Sequence, residues 1–168
     1  MKMPEIVNAV TTMGSIDFEP LSDYFRRHGL TLTEVGHEQS IPGSFWGDPE
    51  AGLIADKLFY RRDTPVHSVL HEGSHFVCMP AHRRETLHTN AGSDNDEESA
   101  VCYLQILIAS DTGVPGFEQI LRDMDNWGYS FRLGCTQRWF EEDAQDARDW
   151  LFERSIIREK TNQLPVPV

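Results

Sequence analysis

Along much of the chain, apolar residues recur every three or four positions, the spacing of helices packed on a core. Ser15 to His28 carries Phe18, Leu21, Tyr24 and Phe25 on one face and stops at Gly29. Leu30 to Val35 alternates instead, as a half-buried strand does, and Gly52 to Tyr60 reads as a second strand or a bent pair. Ile41 to Pro49 is too rich in Pro and Gly to be regular. Val66, Val69, Leu70, Gly73, Phe76 and Val77 form the next helical stripe. Thr64 is placed to cap that helix, Pro65 to open it and Pro80 to end it. After a loop from Pro80 to Gly92, an acid-rich first turn leads into an apolar helix ending near Ser110. Gly116 to Trp127 and Thr136 to Arg158 read as two further helices. The tail from Gln163 to Val168, with alternating prolines, is expected to be extended and loosely ordered. The pattern predicts one α+β domain over residues 1–168, with no internal repeat and no linker.

The chemistry lies in the helix that Pro65 opens and that ends after Met79. His71-Glu72-Gly73-Ser74-His75 is an H-E-x-x-H sequence. Histidines four apart on one helical face can aim ring nitrogens at a single zinc ion, and the glutamate between them can deprotonate a metal-bound water. A catalytic zinc site needs a third protein ligand and an open position. A histidine six residues past the second would serve one sequence class, but Cys78 and Ala81 stand where its spacing needs glycine and histidine, and His82 comes one residue late. A glutamate from a following helix serves the other class. Glu97 shares the core face with Ala100, Val101, Leu104 and Ile108, and a buried carboxylate needs a partner, so it is the first candidate. Glu98, about 100° around the helix beside Cys102 and Gln105, is the competitor.

Glu97-x-x-Ala100-x-x-Tyr103-Leu104-x-x-Leu107-Ile108 resembles the E-x-x-A-x-x-F-A-x-x-L-L pattern that follows H-E-x-x-H in ImmA/IrrE-like metallopeptidases. The strand-like run Ala51 to Tyr60 before the motif resembles theirs too. The likeness covers roughly Gly52 to Ile108, with a metal-binding core about 52–110, and departs at Leu104 and in lacking Leu-Gly inside the motif. It implies a small zincin-like fold of the gluzincin type, with one zinc ion per chain and a glutamate as third ligand. In such folds a short mixed or antiparallel sheet lies beside the active-site helix, and its edge strand pairs with a peptide substrate. Phe45 and Trp46 are then candidate apolar walls of the cleft, or simply a cover for the core end.

The expected reaction is hydrolysis of a peptide bond, with Glu72 as general base passing its proton to the leaving amine. Tyr129, His88 and Arg132 are candidates by residue type for stabilising the oxyanion, and Asp94, Asp96 or a backbone carbonyl for orienting the histidines. Iron, cobalt or manganese would also accept two imidazoles and a carboxylate. His67 is expected one turn from the metal and partly exposed; His82 and His88 read as solvated loop residues. Arg83-Arg84 could grip a substrate carboxylate or belong to a solvated turn. Rival readings are a zinc-binding regulatory protein whose protein partner occludes the site, a hydrolase of non-peptide amides or esters, and a motif that binds no metal.

Composition narrows the setting. A net charge of -12 with no basic stripe argues against nucleic acid. No sustained apolar stretch suggests a signal peptide or membrane span. Cys78, Cys102 and Cys135 are odd in number and widely spaced, which fits free thiols in a cytoplasmic setting. A chain of this length lacks the second lobe that walls larger gluzincin clefts, so a narrow substrate range is expected.

Overall fold

The computed structural model describes residues 9–158, so residues 1–8 and 159–168, including the 163–168 tail, lie outside the described residues. The elements run α1 (Glu19–Arg27), β1 (Thr31–Glu34), β2 (Gly52–Ile54), β3 (Lys57–Tyr60), α2 (Val66–Cys78), α3 (Ala81–Glu85), α4 (Asn95–Thr112), α5 (Phe117–Trp127), α6 (Thr136–Glu142) and α7 (Gln145–Glu153). The architecture is α+β, as the pattern predicts. Two segments differ from it: the loop after α2 contains the short α3, and the last predicted helix is broken at Asp143 and Ala144 into α6 and α7.

Helix α4 is the axis of the fold. Every residue from Ala100 to Ala109 is buried, a helix apolar nearly all round that must be enclosed by others. It packs on α2, α7, α5 and α1. Its start is capped by the Asp94 carboxylate, which accepts from the Glu97 amide at 2.9 Å, and it ends at Gly113 in the left-handed conformation (φ 73).

Helix α2 begins differently from expectation. Pro65 is the N-cap, and the Thr64 hydroxyl accepts from the Arg61 amide at 2.8 Å instead of from the helix. The Val66 amide donates to the Thr11 carbonyl at 2.9 Å, so a distant strand-like segment does the capping. Gly73 also has a specific cause. A Cβ there would stand 2.2 Å from the Phe25 ring of α1, so the close approach of that helix requires glycine.

The sheet has the order β1-β3-β2, with β1 parallel and β2 antiparallel to β3. Gly52 to Tyr60 is therefore a hairpin, turned at Ala55 (φ 53) and Asp56. The strand immediately before α2 is central, not an edge. The outer side of β2 is met by the chain after α3: the Thr89 amide donates to Leu53 O and the Ala55 amide to Leu87 O, both at 2.8 Å. Backbone groups expected to be open for substrate pairing on that strand are satisfied within the chain.

Candidate metal centre

The buried face of α2 sets His71 and His75 one turn apart, with ring centroids 4.8 Å apart and planes at 82°. From α4, across the helix pair, Glu98 reaches both. Its carboxylate oxygens lie 2.8 Å from His71 Nε2 and 3.1 Å from His75 Nε2. One ligand atom from each of these three residues lies within 4.8 Å of the others, so together they could hold a metal ion.

The protons support that reading. Gln105 of α4, fully buried, sets its Nε2 towards the His67 carbonyl at 3.5 Å and its Oε1 2.7 Å from His71 Nδ1. An amide oxygen only accepts, so the hydrogen of the neutral His71 ring sits on Nδ1 and its Nε2 presents a lone pair to Glu98. A lone pair and a carboxylate at that separation repel unless a cation, a proton or a metal ion, lies between them. The titration tendencies agree. Burial works against charge on His71, yet Tyr129, Cys102 and Glu98 outweigh it and hold its pKa well above the usual histidine value. Burial likewise opposes ionisation of Glu98, and hydrogen bonds from the two histidines overcome it and push the carboxyl far below the usual range. The pocket is built around positive charge. His75 Nδ1 is buried without a hydrogen-bond partner, and neither Asp94 nor Asp96 orients a histidine.

Glu97 points elsewhere. It is buried on the core face as its spacing requires, but its Oε2 accepts from Arg83 Nη1 at 2.9 Å. Arg83 also donates to the Ala91 carbonyl at 2.6 Å, tying α3 and the following loop to α4. The partner that a buried carboxylate demands is thus an arginine, and the competitor Glu98 stands at the histidines. Arg84 donates to the Phe76 carbonyl and covers the Phe76 ring, so neither arginine belongs to a solvated turn or a substrate grip. A signal for Glu98 was present in Gln105, a polar residue two helical turns on from it in an otherwise apolar run.

Glu72 lies between the two histidines at only 7% exposure, with a pKa raised by burial and by Glu98 but restrained by His71 and His75. Two concavities meet there. One, of about 360 Å³, is lined by Trp46, Glu50, Ser68, Cys102, Trp127 and Tyr129; the other, of about 220 Å³, by Phe45, Trp46 and the Thr89 to Ser93 segment. His71, Glu72 and Glu98 line both, so the candidate centre sits midway along a groove. Phe45 and Trp46 stack edge to face at 5.0 Å on its rim and are 52% and 70% exposed, so they do not cover the core.

Of the three oxyanion candidates, Tyr129 alone lines the groove. Arg132 pairs with Asp143, and exposed His88 bonds to Thr89. The Tyr129 hydroxyl lies 3.1 Å from His67 Nδ1, and burial pushes its pKa up to about 12. His67 is fully buried, not partly exposed, and lies against Trp127 with centroids 5.0 Å apart. Glu50 and Trp127 are groove residues that no local sequence feature singled out. Burial raises the Glu50 pKa, and hydrogen bonding from the Trp127 indole partly opposes this.

Comparison with protein-family models, with curated proteins and with solved structures returned no match, so the likeness to metallopeptidases rests on the motif residues themselves. Fold and site define an α+β domain in which two core helices bring together three side chains that could hold a metal ion. Among the described residues no helix is long and apolar enough to cross a membrane, and the three cysteines are free thiols.

Proposed function

We propose that this protein is a metal-dependent hydrolase, acting on peptide bonds, with His71, His75 and Glu98 as ligands of one divalent ion, zinc by default. The supporting observation is the convergence of the two Nε2 atoms on one carboxylate, with Glu72 beside them in an open groove. A divalent cation there supplies Lewis acidity, which makes water a nucleophile near neutral pH. Glu72 accepts the proton of the attacking water as the carbon–oxygen bond forms. It returns that proton to the amine as the carbon–nitrogen bond breaks. Its buried, raised-pKa carboxyl suits a group that must both take and give a proton. The Tyr129 hydroxyl, kept protonated, donates to the developing oxyanion. Gln105 holds the His71 ring in the ligating tautomer. Phe45 and Trp46 offer apolar surface to the substrate on the rim of the groove.

The test is metal content after purification without a metal column, followed by cleavage of a peptide library read by mass spectrometry. We expect about one zinc per chain in the wild type and in Glu97→Gln, and little in His75→Ala and Glu98→Gln. Cleavage should vanish in Glu72→Gln with metal retained. Metal bound in the wild type with no Glu72-dependent cleavage would leave a zinc-binding regulatory protein, whose partner would dock on the exposed Phe45–Trp46 rim. No zinc in the wild type, even after incubation with it, would overturn both readings.

A further inference from the structure

The groove has a charge balance that the proposed hydrolysis does not use. No lysine or arginine lines either half of it, while Glu50, Glu72 and Glu98 all do. Glu98 is partnered by His71 and His75. Glu50 is not so placed. It is half-buried, lies in the larger half of the groove, and forms no ion pair with a basic side chain among the described residues. A carboxylate partly removed from water without a cation is costly, and a bound organic cation would offset that cost.

The surroundings name the ligand class. Trp46, Trp127 and Tyr129 share the cavity with Glu50, and indole and phenol faces attract organic cations. A volume of about 360 Å³ is sufficient for a lysine or arginine side chain beside the metal position.

We propose that Glu50, with Trp46, Trp127 and Tyr129 around it, forms a subsite for an organic cation of the substrate, a basic side chain or free α-amine next to the scissile bond. This rests on the hydrolase reading, since the subsite takes its meaning from its distance to the metal centre. Recognition is by a charge-assisted hydrogen bond from ammonium or guanidinium to Glu50, backed by the aromatic faces.

The test uses the zinc-loaded full chain and acetyl-Ala-X-hydroxamates with X as arginine, lysine, citrulline or norleucine, titrated by calorimetry. Leucine hydroxamate with and without an N-acetyl group forms the second arm. Hydroxamate binding to the metal is common to all of them, so it reports on the centre independently of the subsite. We expect the arginine and lysine compounds to bind about tenfold or more tightly than citrulline and norleucine. Glu50→Gln should abolish that preference and leave the neutral compounds within about twofold of wild type. Trp127→Phe, which keeps the ring and removes the indole N–H, should reduce the preference in part. An advantage confined to the free leucine amine, and lost in Glu50→Gln, would assign the subsite to a substrate N-terminus. Equal, zinc-dependent binding of charged and neutral compounds would overturn the subsite while leaving the metal centre standing. No binding of any hydroxamate would overturn the hydrolase reading, and the subsite with it.

Discussion

Glu97 and Glu98 are adjacent, acidic and in the same first turn of α4, yet they have opposite fates. Glu97 is carried inward by the helix and neutralised by Arg83; Glu98 sits at the boundary of the core, where α2 brings its histidines. Removing Arg83 would leave a buried carboxylate without its ion. Arg83→Ala should therefore lower stability by about 2 kcal/mol or more, read by urea unfolding, with metal content unchanged. Glu97→Gln in the same background should recover part of the loss, because the unpaired charge is then gone. His67 makes a pH-dependent contribution. Burial lowers its pKa from 6.5 to about 3. Below pH 6.5 the unfolded chain takes up a proton there that the native chain refuses, so stability is full above that value and falls as pH drops towards 3. Between pH 7 and 5 the share due to His67 is about 2 kcal/mol. His67→Gln should show a correspondingly smaller stability change over that interval in the same unfolding experiment.

At the scale of elements, the site is a product of two helix pairs. α2 crosses α4 closely enough for one carboxylate to span two imidazoles, and α1 presses on the back of α2 through Phe25. That second contact explains a glycine inside the H-E-x-x-H motif, at a position where alanine would be about 1 kcal/mol better for an isolated helix. Gly73→Ala forces the Phe25 ring or the helix to move. The expected loss is about 1–3 kcal/mol in thermal or urea unfolding, and Phe25→Leu in the same chain should relieve part of it. Because the shift would separate α2 from α4, metal affinity in Gly73→Ala should fall along with stability. Unchanged stability would mean that the ring yields freely.

For the whole molecule, metal and fold are coupled by mass action. The three ligands come from helices that have no reason to meet in the unfolded chain, so an ion that binds them stabilises only the native state. With free zinc at about 100 times its Kd, the native state gains about 2.7 kcal/mol. Adding a chelator should lower the melting temperature of wild type and leave Glu98→Gln unmoved, which calorimetry can read directly. An equal shift in both would place the ion elsewhere. The groove is open on both sides of the centre, and we expect slow or no digestion of casein beside rapid cleavage of a matched substrate.

By itself the sequence determined the α+β class, the extent of the motif helix within a residue at either end, and the pair His71 and His75 with Glu72 between them. These follow from local rules: the 3.6-residue period, proline and glycine stops, and ligands four residues apart on one helix. The choice between Glu98 and Glu97 was decided by tertiary structure, because it turns on where Arg83 docks from α3. The central place of β3 in the sheet was decided the same way, since hairpin pairing and the return of Leu87 to Thr89 over β2 are contacts between distant segments. Glu50, His67 and the Trp127 to Tyr129 stretch lie far apart in sequence and become neighbours only when α5 packs against α2. Periodicity reports which face of an element is buried; what that face meets is fixed by packing, and charge partners are chosen there.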